Sequence, residues 1–304
     1  MTDLTALSEE VRALARQRDA IVLAHNYQRQ EVQDVADFVG DSLGLSREAA
    51  ATSAAVIVFA GVHFMAETAK ILSTDKHVLL PEPRAGCPMA DMITAEQARS
   101  FKGEHPGLPL VTYVNSSAEV KAESDVCCTS ANAVEVVRSL GVTRVLFAPD
   151  RNLGAWVASQ LPDVEIITWD GFCPTHERVT AEQVRSAVQA HPGAMVVAHP
   201  ECRPEVVALA DAVLSTSGMI RYVASSAAEE FIVITESGLL HGLAKAAPGK
   251  KFFGLTPPMV CPNMKLTTLE KVRDCLRDGT GEVTVPASTR ARALAAVERM
   301  VALG

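Results

Sequence analysis

Short runs of apolar residues alternate with polar, helix-forming segments along most of this chain. Apolar runs of this length that are each followed by a helical pattern are typical of buried parallel strands in α/β proteins. Three runs, within 21–37, 109–125 and 195–211, each pass into polar residues and then into a helix. Two more strands are predicted after each run, so the pattern indicates three α/β units. These later strands are predicted at 54–61 and 77–81, 144–149 and 164–169, and 230–235 and 251–255.

The three units carry the same residues at equivalent positions, which indicates an internal triplication. When His25, Tyr113 and His199 are aligned, a Glu-Val pair, an Asp and a hydroxyl residue follow at the same distances in each unit. A Cys-Pro pair then begins a loop, and we interpret the Thr that follows it as the N-cap of a helix that positions the loop. The equivalent sets are Glu31, Glu119 and Glu205; Asp37, Asp125 and Asp211; Ser42, Ser130 and Thr216; Cys87, Cys173 and Cys261; and Thr94, Thr180 and Thr268.

The repeat predicts an α/β fold of three homologous three-layer αβα domains with small parallel sheets. We expect pseudo-threefold symmetry around a central active site, because all the marked residues follow strands and ligands bind at the carboxyl ends of such strands. The predicted domains are 18–103, 104–190 and 191–280. The segments 1–17 and 281–304 are predicted to be terminal helices that pack on the repeats.

Three equivalent cysteines at strand ends would converge and offer three thiolates with a fourth position open. An open position is typical of a catalytic metal site, whereas structural zinc has four protein ligands. A cubane iron–sulfur cluster held by three cysteines fits the same symmetry, and Cys-Pro is common in cluster loops. The alternatives are a zinc site, or loop cysteines that bind no metal. The other cysteines are interpreted as small buried hydrophobes: Cys127, Cys128, Cys202 and Cys275.

Polar side chains at the ends of the first strands form a predicted ring around this centre. Residues two apart point to the same side of a strand, so each unit contributes one pair of side chains to the ring. The hydroxyl residues Ser42, Ser130 and Thr216 are predicted N-caps, and helix starts of this kind suit a ligand with several carboxylates or a phosphate. The ring pairs are His25 with Tyr27, Tyr113 with Asn115, and His199 with Glu201.

One position close to the cysteines differs between the units. Three residues after the cysteine, the second unit has His176 where the others have Ala90 and Met264. We therefore expect His176 to transfer protons or orient the ligand. Lys265 follows Met264 and is expected either at the surface or offsetting anionic charge. Tyr222, Glu236 and His241 have no predicted role.

Composition excludes several classes of partner. The 304 residues carry a formal net charge of −8 and no cluster of Lys or Arg, which argues against a nucleic-acid surface. No apolar run approaches the length of a membrane span, and the acidic start lacks the apolar core of a signal peptide. Seven cysteines are too sparse for a secreted disulfide framework. We therefore expect a cytoplasmic protein with reduced thiols.

Ten motifs occur in this order along the chain: AHNYQ, GVHFMAETAKIL, AGCPMADMI, TYVNSSAEVKAESD, CCTSANA, WDGFCPTHERVT, HPEC, STSGMI, TESGL and CPNMK. By these motifs the chain resembles the quinolinate synthase family from about residue 20 to residue 275. The resemblance implies three stacked α/β domains with pseudo-threefold symmetry and a [4Fe-4S] cluster held by Cys87, Cys173 and Cys261. It also implies that iminoaspartate and dihydroxyacetone phosphate condense to quinolinate, phosphate and water, with an open iron as Lewis acid.

The same resemblance implies roles for individual residues. Tyr27 and His176 lie in family motifs near the reacting centre, and Glu201, His199, Tyr27, His176 and Tyr113 are the candidate acid–base groups. An aspartate oxidase or dehydrogenase is the expected source of iminoaspartate. The residues expected to bind substrate are His25, Ser42, Tyr113, Asn115, Ser130, His199, Glu201 and Thr216.

Two other functions remain open. One is an aconitase-like hydro-lyase, which would use the same open iron on another polycarboxylate. The other is a non-catalytic zinc or iron–sulfur sensor, although the sequence shows no basic patch or apolar tract for a sensor's partner. The third cysteine motif also departs from that of some longer family members, which have CxxCxxC where this chain offers only Cys261. Regulation by a disulfide at that loop is therefore not expected.

Overall fold

The computed structural model describes residues 4–303, which contain three parallel sheets of four strands each. Numbered along its own unit, every sheet has the order second, first, third, fourth. The α/β class and the small parallel sheets are therefore confirmed. The first sheet comprises β1 Ala20–His25, β2 Phe38–Gly40, β3 Val56–Ala60 and β4 His77–Leu79; the second β5 Leu110–Tyr113, β6 Val126–Cys128, β7 Arg144–Ala148 and β8 Glu165–Thr168; the third β9 Met195–Ala198, β10 Ala212–Val213, β11 Glu230–Ile234 and β12 Lys251–Phe253.

The expectation of three strands per unit is wrong, because each sheet has an additional edge strand. These strands are β2, β6 and β10, and they contain only two or three residues each. The apolar runs that contain them (FV, VCC and AVL) are too short to show a strand pattern, whereas the equally short β4 and β12 lie in the longer runs 77–81 and 251–255. Each lies just before the loop with the repeated hydroxyl residue, so the missed strands position part of the site.

Helices connect the strands and cover both faces of the sheets. Residues 90–92 form a single 3₁₀ turn. The α-helices within residues 4–303 are α1 Leu4–Gln17, α2 Gln30–Gln33, α3 Ser42–Ala51, α4 His63–Leu72, α5 Ala95–Glu104, α6 Ala118–Lys121, α7 Ala133–Ser139, α8 Arg151–Gln160, α9 Pro174–Glu177, α10 Ala181–Ala190, α11 Pro204–Val207, α12 Thr216–Ser225, α13 Leu239–Ala246, α14 Leu269–Asp278 and α15 Ala287–Ala302.

The helix after each Cys-Pro loop packs on the sheet of another unit. The apolar face of α5 packs on the second sheet and that of α10 on the third. The equivalent helix α14 packs on the first sheet, against β1 and β3. The units therefore contact one another in a closed cycle. The predicted caps of these helices are confirmed, since Thr94, Thr180 and Thr268 each accept a backbone N–H of the first turn.

The repeated Asp supports the first strand of each unit. Its backbone N–H donates to a carbonyl of that strand, and its carboxylate accepts the N–H of the same strand residue. Two bonds to one residue fix the segment that leads into the edge strand. The carboxylate distances are 2.7 Å from Asp37 to Val22, 2.8 Å from Asp125 to Leu110 and 2.8 Å from Asp211 to Val196.

The terminal helices add to the cores of the units. Helix α1 packs on α14 and β1. Helix α15 lies across α3, α4, α6 and β6, and so joins the first unit to the second. It buries Ala293, Val297 and Met300, and the carbonyl of Met300 accepts the Asn132 side-chain amide at 2.9 Å. Within residues 4–303, no helix has both the length and the apolar character needed to cross a lipid bilayer.

Candidate active site

One cavity of about 170 Å³ lies at the carboxyl ends of the strands and is lined by residues of all three units. The three repeated cysteines and every polar residue predicted for the site line it. Residues separated by more than two hundred positions in the sequence thus lie in one space. The predicted residues in this lining are His25, Tyr27, Ser42, Cys87, Tyr113, Asn115, Ser130, Cys173, His176, His199, Glu201, Thr216 and Cys261.

The prediction that the hydroxyl residues are N-caps is wrong. Asp41 caps α3 by accepting the Gly44 N–H at 2.9 Å, and Ser215 caps α12. Helix α7 begins three residues beyond Ser130. Because the preceding residues satisfy the helix starts of α3 and α12, Ser42 and Thr216 occupy first-turn positions that line the cavity.

Glu201, of the third unit, accepts hydrogen bonds from two residues of the second unit. Tyr113 Oη donates to Oε1 at 2.7 Å, and His176 Nδ1 lies 2.8 Å from Oε2. Burial raises the pKa of Glu201, but the facing His199 and His176 and the two hydrogen bonds outweigh burial and lower it below its ordinary value. Its carboxylate is therefore ionised at neutral pH and can accept a proton.

The two tyrosines are held in the neutral form. Burial raises the pKa of Tyr27 and of Tyr113 well above that of a free phenol, and the nearby Glu201 carboxylate raises both further. A buried neutral phenol can donate a hydrogen bond, or a proton, to a group that becomes negative during a reaction. The cavity therefore combines an ionised carboxylate with neutral phenols.

His25 and His199 occupy equivalent positions and share the same local geometry. Burial lowers the pKa of His25 to about 4 and that of His199 to about 3, so both rings are neutral at pH 7. In each ring Nδ1 accepts a backbone N–H from two residues on, at 3.1 Å for His25 and 3.3 Å for His199. Nε2 then carries the hydrogen. For His199 this nitrogen lies 3.2 Å from Ser130 Oγ.

The cysteines fit a site for a metal or cluster. Burial raises the pKa of all three thiols, that of Cys87 to about 12, so bare thiolates would be unstable in this cavity. The backbone N–H of the residue three positions later lies near each sulfur and partly offsets this rise in pKa, and N–H groups near sulfur stabilise sulfur-ligated clusters. A bound cationic centre would supply the charge that the thiolates need. In residues 4–303 the close group of possible ligand atoms is Cys173, His176 and Glu201, within 4.8 Å of one another.

The remaining cysteines are buried, as predicted for small hydrophobes. None of the seven cysteines forms a disulfide within the described part of the chain. Cys275 Sγ donates to the Thr280 carbonyl at 3.1 Å, well inside the core beneath α14. The buried cysteines outside the cavity lining are Cys127, Cys128, Cys202 and Cys275.

Sequence reasoning did not assign Glu236, which is completely buried and lines the cavity. Its carboxylate pairs with Lys265 Nζ at 3.0 Å, and Lys265 also donates to the Tyr27 carbonyl at 2.5 Å. Lys265 is thus not a surface lysine: its side chain is 19% exposed and offsets a buried charge. The only sequence signal for Glu236 was its place in TESGL. Tyr222 contacts Met195 and His241 contacts Asp34, and neither side chain lines the cavity.

Known proteins match this chain over nearly its whole length. The model of the family described as quinolinate synthetase A protein matches residues 9–302. The quinolinate synthase of Methanoregula boonei is 55% identical over 303 residues, which cover 100% of each chain. That of Thermodesulfovibrio yellowstonii is 53% identical over 295 residues (97% of each chain), and that of Desulforudis audaxviator 56% identical over 298 residues (98% of each). The chain therefore belongs to the quinolinate synthase family, a family of enzymes of NAD biosynthesis.

Proposed function

We propose that this chain condenses iminoaspartate with dihydroxyacetone phosphate to give quinolinate, phosphate and water in the cavity described above. The observation that carries this proposal is that one cysteine from each unit and a ring of acid–base groups line the same small space. Membership of the family agrees with it. We expect the reaction to occur in the cytoplasm, with iminoaspartate supplied by an aspartate oxidase or dehydrogenase.

The proposal includes a pseudo-threefold arrangement of three domains, 18–103, 104–190 and 191–280. The identical strand order of the sheets and the cyclic packing of α5, α10 and α14 support it. In this arrangement the segments 1–17 and 281–304 lie outside the repeats. Each domain would contribute one cysteine and one pair of polar residues, so the scaffold repeats whereas the chemistry around the substrate does not.

Cys87, Cys173 and Cys261 would hold a [4Fe-4S] cluster, which supplies a Lewis-acid iron when bound. The N–H groups aimed at each sulfur support this choice. Thiolates that share one zinc ion must lie close together, because a Zn–S bond is only about 2.3 Å long. Cys87 and Cys261 are not part of the close ligand group within the described residues, so a multi-atom cluster fits the three cysteines better than a single ion.

The substrate carboxylates would bind to neutral donors. Ser42 and Thr216 begin the ten-residue helices α3 and α12, where the helix dipole favours an anion. The Nε2–H groups of the neutral His25 and His199 rings add two donors. Asn115 Oδ1 is a buried acceptor with no partner in the described chain, so it would accept a hydrogen bond from a hydroxyl or N–H of the substrate and not from a carboxylate. Ser130 completes this set from the second unit.

Proton transfers would use the remaining groups of the ring. Glu201 is the ionised carboxylate of the ring and would serve as the base once substrate displaces one of the two hydrogen bonds that its oxygens accept. Tyr113 and Tyr27 are neutral and act as acids. His176 Nδ1 faces Glu201 Oε2 and can pass a proton between that carboxylate and the cavity. The Glu201 backbone N–H donates to His199 Nδ1 at 3.3 Å, which fixes the His199 ring beside this carboxylate.

The test is quinolinate formation by protein purified without oxygen and supplied with freshly generated iminoaspartate and dihydroxyacetone phosphate. We expect quinolinate and phosphate in equal amounts, and none when either substrate is left out. Hydration or dehydration of other polycarboxylates without quinolinate would instead identify a hydro-lyase. A protein that binds zinc and turns over neither set of substrates would be a sensor.

A further inference from the structure

Thr235 joins two predicted acid–base groups that come from different units. Its hydroxyl lies 2.6 Å from Tyr27 Oη and 2.9 Å from His176 Nε2. Thr235 follows β11 directly and is only 3% exposed. Tyr27 and His176 line the cavity, whereas Thr235 lies behind them. One hydroxyl of the third unit thus contacts a phenol of the first and an imidazole of the second.

The donors and acceptors of this contact can be assigned from its neighbours. A carboxylate only accepts, so His176 Nδ1 carries a hydrogen toward Glu201. In the tautomer with its hydrogen on Nδ1, which also lies 3.2 Å from Cys173 Sγ, Nε2 is an acceptor. The Thr235 hydroxyl, 2.9 Å away, then donates to Nε2. The Thr235 oxygen still accepts from the Tyr27 hydroxyl. Every donor in the chain of bonds therefore has one acceptor, and Thr235 sets the direction of both bonds.

This chain of hydrogen bonds continues to the opposite wall of the cavity. It passes from Tyr27 through Thr235 and His176 to Glu201, and Tyr113 donates to the other oxygen of Glu201. Both ends are phenols that line the cavity. We propose that Thr235 is a positioning residue for the reaction, which holds the Tyr27 hydroxyl and the His176 tautomer in the orientation that proton transfer requires.

This inference rests on the proposed function. Its geometry comes only from the contacts of Thr235 described above. No such role could be inferred from the repeat, because the residues that follow the equivalent strands β3 and β7 are Gly61 and Pro149. Neither can form a side-chain hydrogen bond. A hydroxyl at this place is therefore a property of the third unit alone, as His176 is of the second.

The first test compares Thr235→Val with Thr235→Ser. Valine keeps the shape of threonine and removes the hydroxyl, whereas serine keeps the hydroxyl. We expect Thr235→Val to lower kcat by about 10- to 100-fold, because the acid–base groups would no longer be oriented for proton transfer. KM should stay within about threefold of the wild-type value. Thr235→Ser should stay within about threefold of the wild-type kcat. Thr68→Val is the matched control, since Thr68 is also buried but bonds only to the Phe64 carbonyl of its own helix.

The second test does not depend on activity. Protein labelled with ¹⁵N at histidine reports which ring nitrogen carries the hydrogen, and His176→Gln assigns the resonances of His176. We expect an acceptor Nε2 in the wild type and in Thr235→Ser, and a changed Nε2 resonance in Thr235→Val. Other imidazole resonances should be unaffected.

Three results would overturn the assignment. They are a wild-type kcat in Thr235→Val, an equal loss in Thr235→Ser and Thr235→Val, or an unchanged His176 resonance in the valine variant. If the wild-type protein forms no quinolinate, the proposed function fails, but the imidazole spectra still decide whether Thr235 sets the tautomer. The two failures are therefore distinguishable.

Discussion

Tyr113 Oη donates a 2.7 Å hydrogen bond to Glu201 Oε1, and this bond joins the end of the second sheet to the loop that follows the third sheet's first strand. Both side chains are almost completely buried. A tyrosine that ends β5 and a glutamate that follows β9 can meet only because the carboxyl ends of the sheets face the same cavity.

Removing the Tyr113 hydroxyl should therefore impair catalysis without unfolding the protein. A hydrogen bond to a charged group contributes about 1.5–3 kcal/mol, which corresponds to a loss of roughly 10- to 150-fold in kcat/KM for Tyr113→Phe. Steady-state kinetics of quinolinate formation would measure it. Tyr222→Phe is the control, because Tyr222 donates only weakly, to Met195 Sδ at 3.7 Å. Equal activity in both variants would contradict a role for the Tyr113–Glu201 bond.

Thr216 should affect substrate binding more than turnover. The Asn26 side-chain amide donates to Thr216 Oγ1 at 2.8 Å, which leaves the hydroxyl hydrogen free to point into the cavity. Thr216→Val removes that donor, and we expect KM for iminoaspartate to rise about tenfold, the effect of losing one hydrogen bond to a charged group. Thr216→Ser should stay close to the wild type. Ser225→Ala, at the exposed end of the same helix, is the control, and an unchanged KM in Thr216→Val would count against this contact.

The buried neutral histidines make stability depend on pH. Folding lowers the pKa of His25 to about 4 and of His199 to about 3 from an ordinary value near 6.5. The unfolded chain therefore binds protons first, and stability falls as the pH drops below about 6.5. Each ring contributes up to about 1.4 kcal/mol per pH unit. Glu201, whose pKa is lowered below 4.5, contributes only in more acidic solution.

Denaturant unfolding at pH 7, 6 and 5 would measure this dependence. We expect the midpoint to decrease over this range, and to decrease less steeply in His25→Gln. His77→Gln, at an exposed histidine, should keep the wild-type slope. A midpoint that is constant between pH 7 and pH 5 would show that these rings are not buried in the neutral form.

The repeated Asp should stabilise the fold in each unit and should not affect catalysis. Asp37→Ala, Asp125→Ala and Asp211→Ala each remove one bond to a strand N–H and are expected to cost about 1 kcal/mol, a fall of a few degrees at most in Tm. Asp125→Ala should cost slightly more, because it also removes a partly exposed ion pair with Lys102 at 2.8 Å. The Asn variants keep an acceptor oxygen and should lose less. Thermal unfolding would measure both series, with the exposed Asp163→Ala as control. Unequal losses that track activity would mean that this position is not purely structural.

The repeat made much of the fold predictable, because each strand could be checked against two other copies. The nine other strands, the caps Thr94, Thr180 and Thr268, and the burial of the four other cysteines follow from local pattern alone. The edge strands β2, β6 and β10 do not, because the apolar runs that contain them (FV, VCC and AVL) are only two or three residues long. The N-caps of α3 and α12 lie one residue before the predicted ones. Asp41 and Ser215 cap a helix as well as the hydroxyl residues that follow them, so the sequence alone could not choose between them.

The site could be predicted only where the units resemble one another. The cysteines and the strand-end pairs lie at repeated positions, so the comparison between units selected them. Thr235 and Glu236 lie at positions where the other units have Gly61 with Val62 and Pro149 with Asp150. Their contacts with Tyr27, His176 and Lys265 depend on how separate units pack, which no local pattern encodes.

A [4Fe-4S] cluster at this site requires that all three repeated cysteines bind it together. Cys87→Ser, Cys173→Ser and Cys261→Ser should each abolish quinolinate formation. Cys275→Ser should not, because serine can still donate to the Thr280 carbonyl. Activity that survives any one of the first three changes would refute a shared site.

Iron and acid-labile sulfide per chain, measured after oxygen-free purification, test this claim most directly. A cluster held by the three repeated cysteines should give about four of each in the wild type, as a cubane requires. The content should be the same in Cys275→Ser and should be lost in each of the Cys87, Cys173 and Cys261 variants. Stoichiometric zinc without sulfide, or a full cluster in any of those three variants, would contradict it.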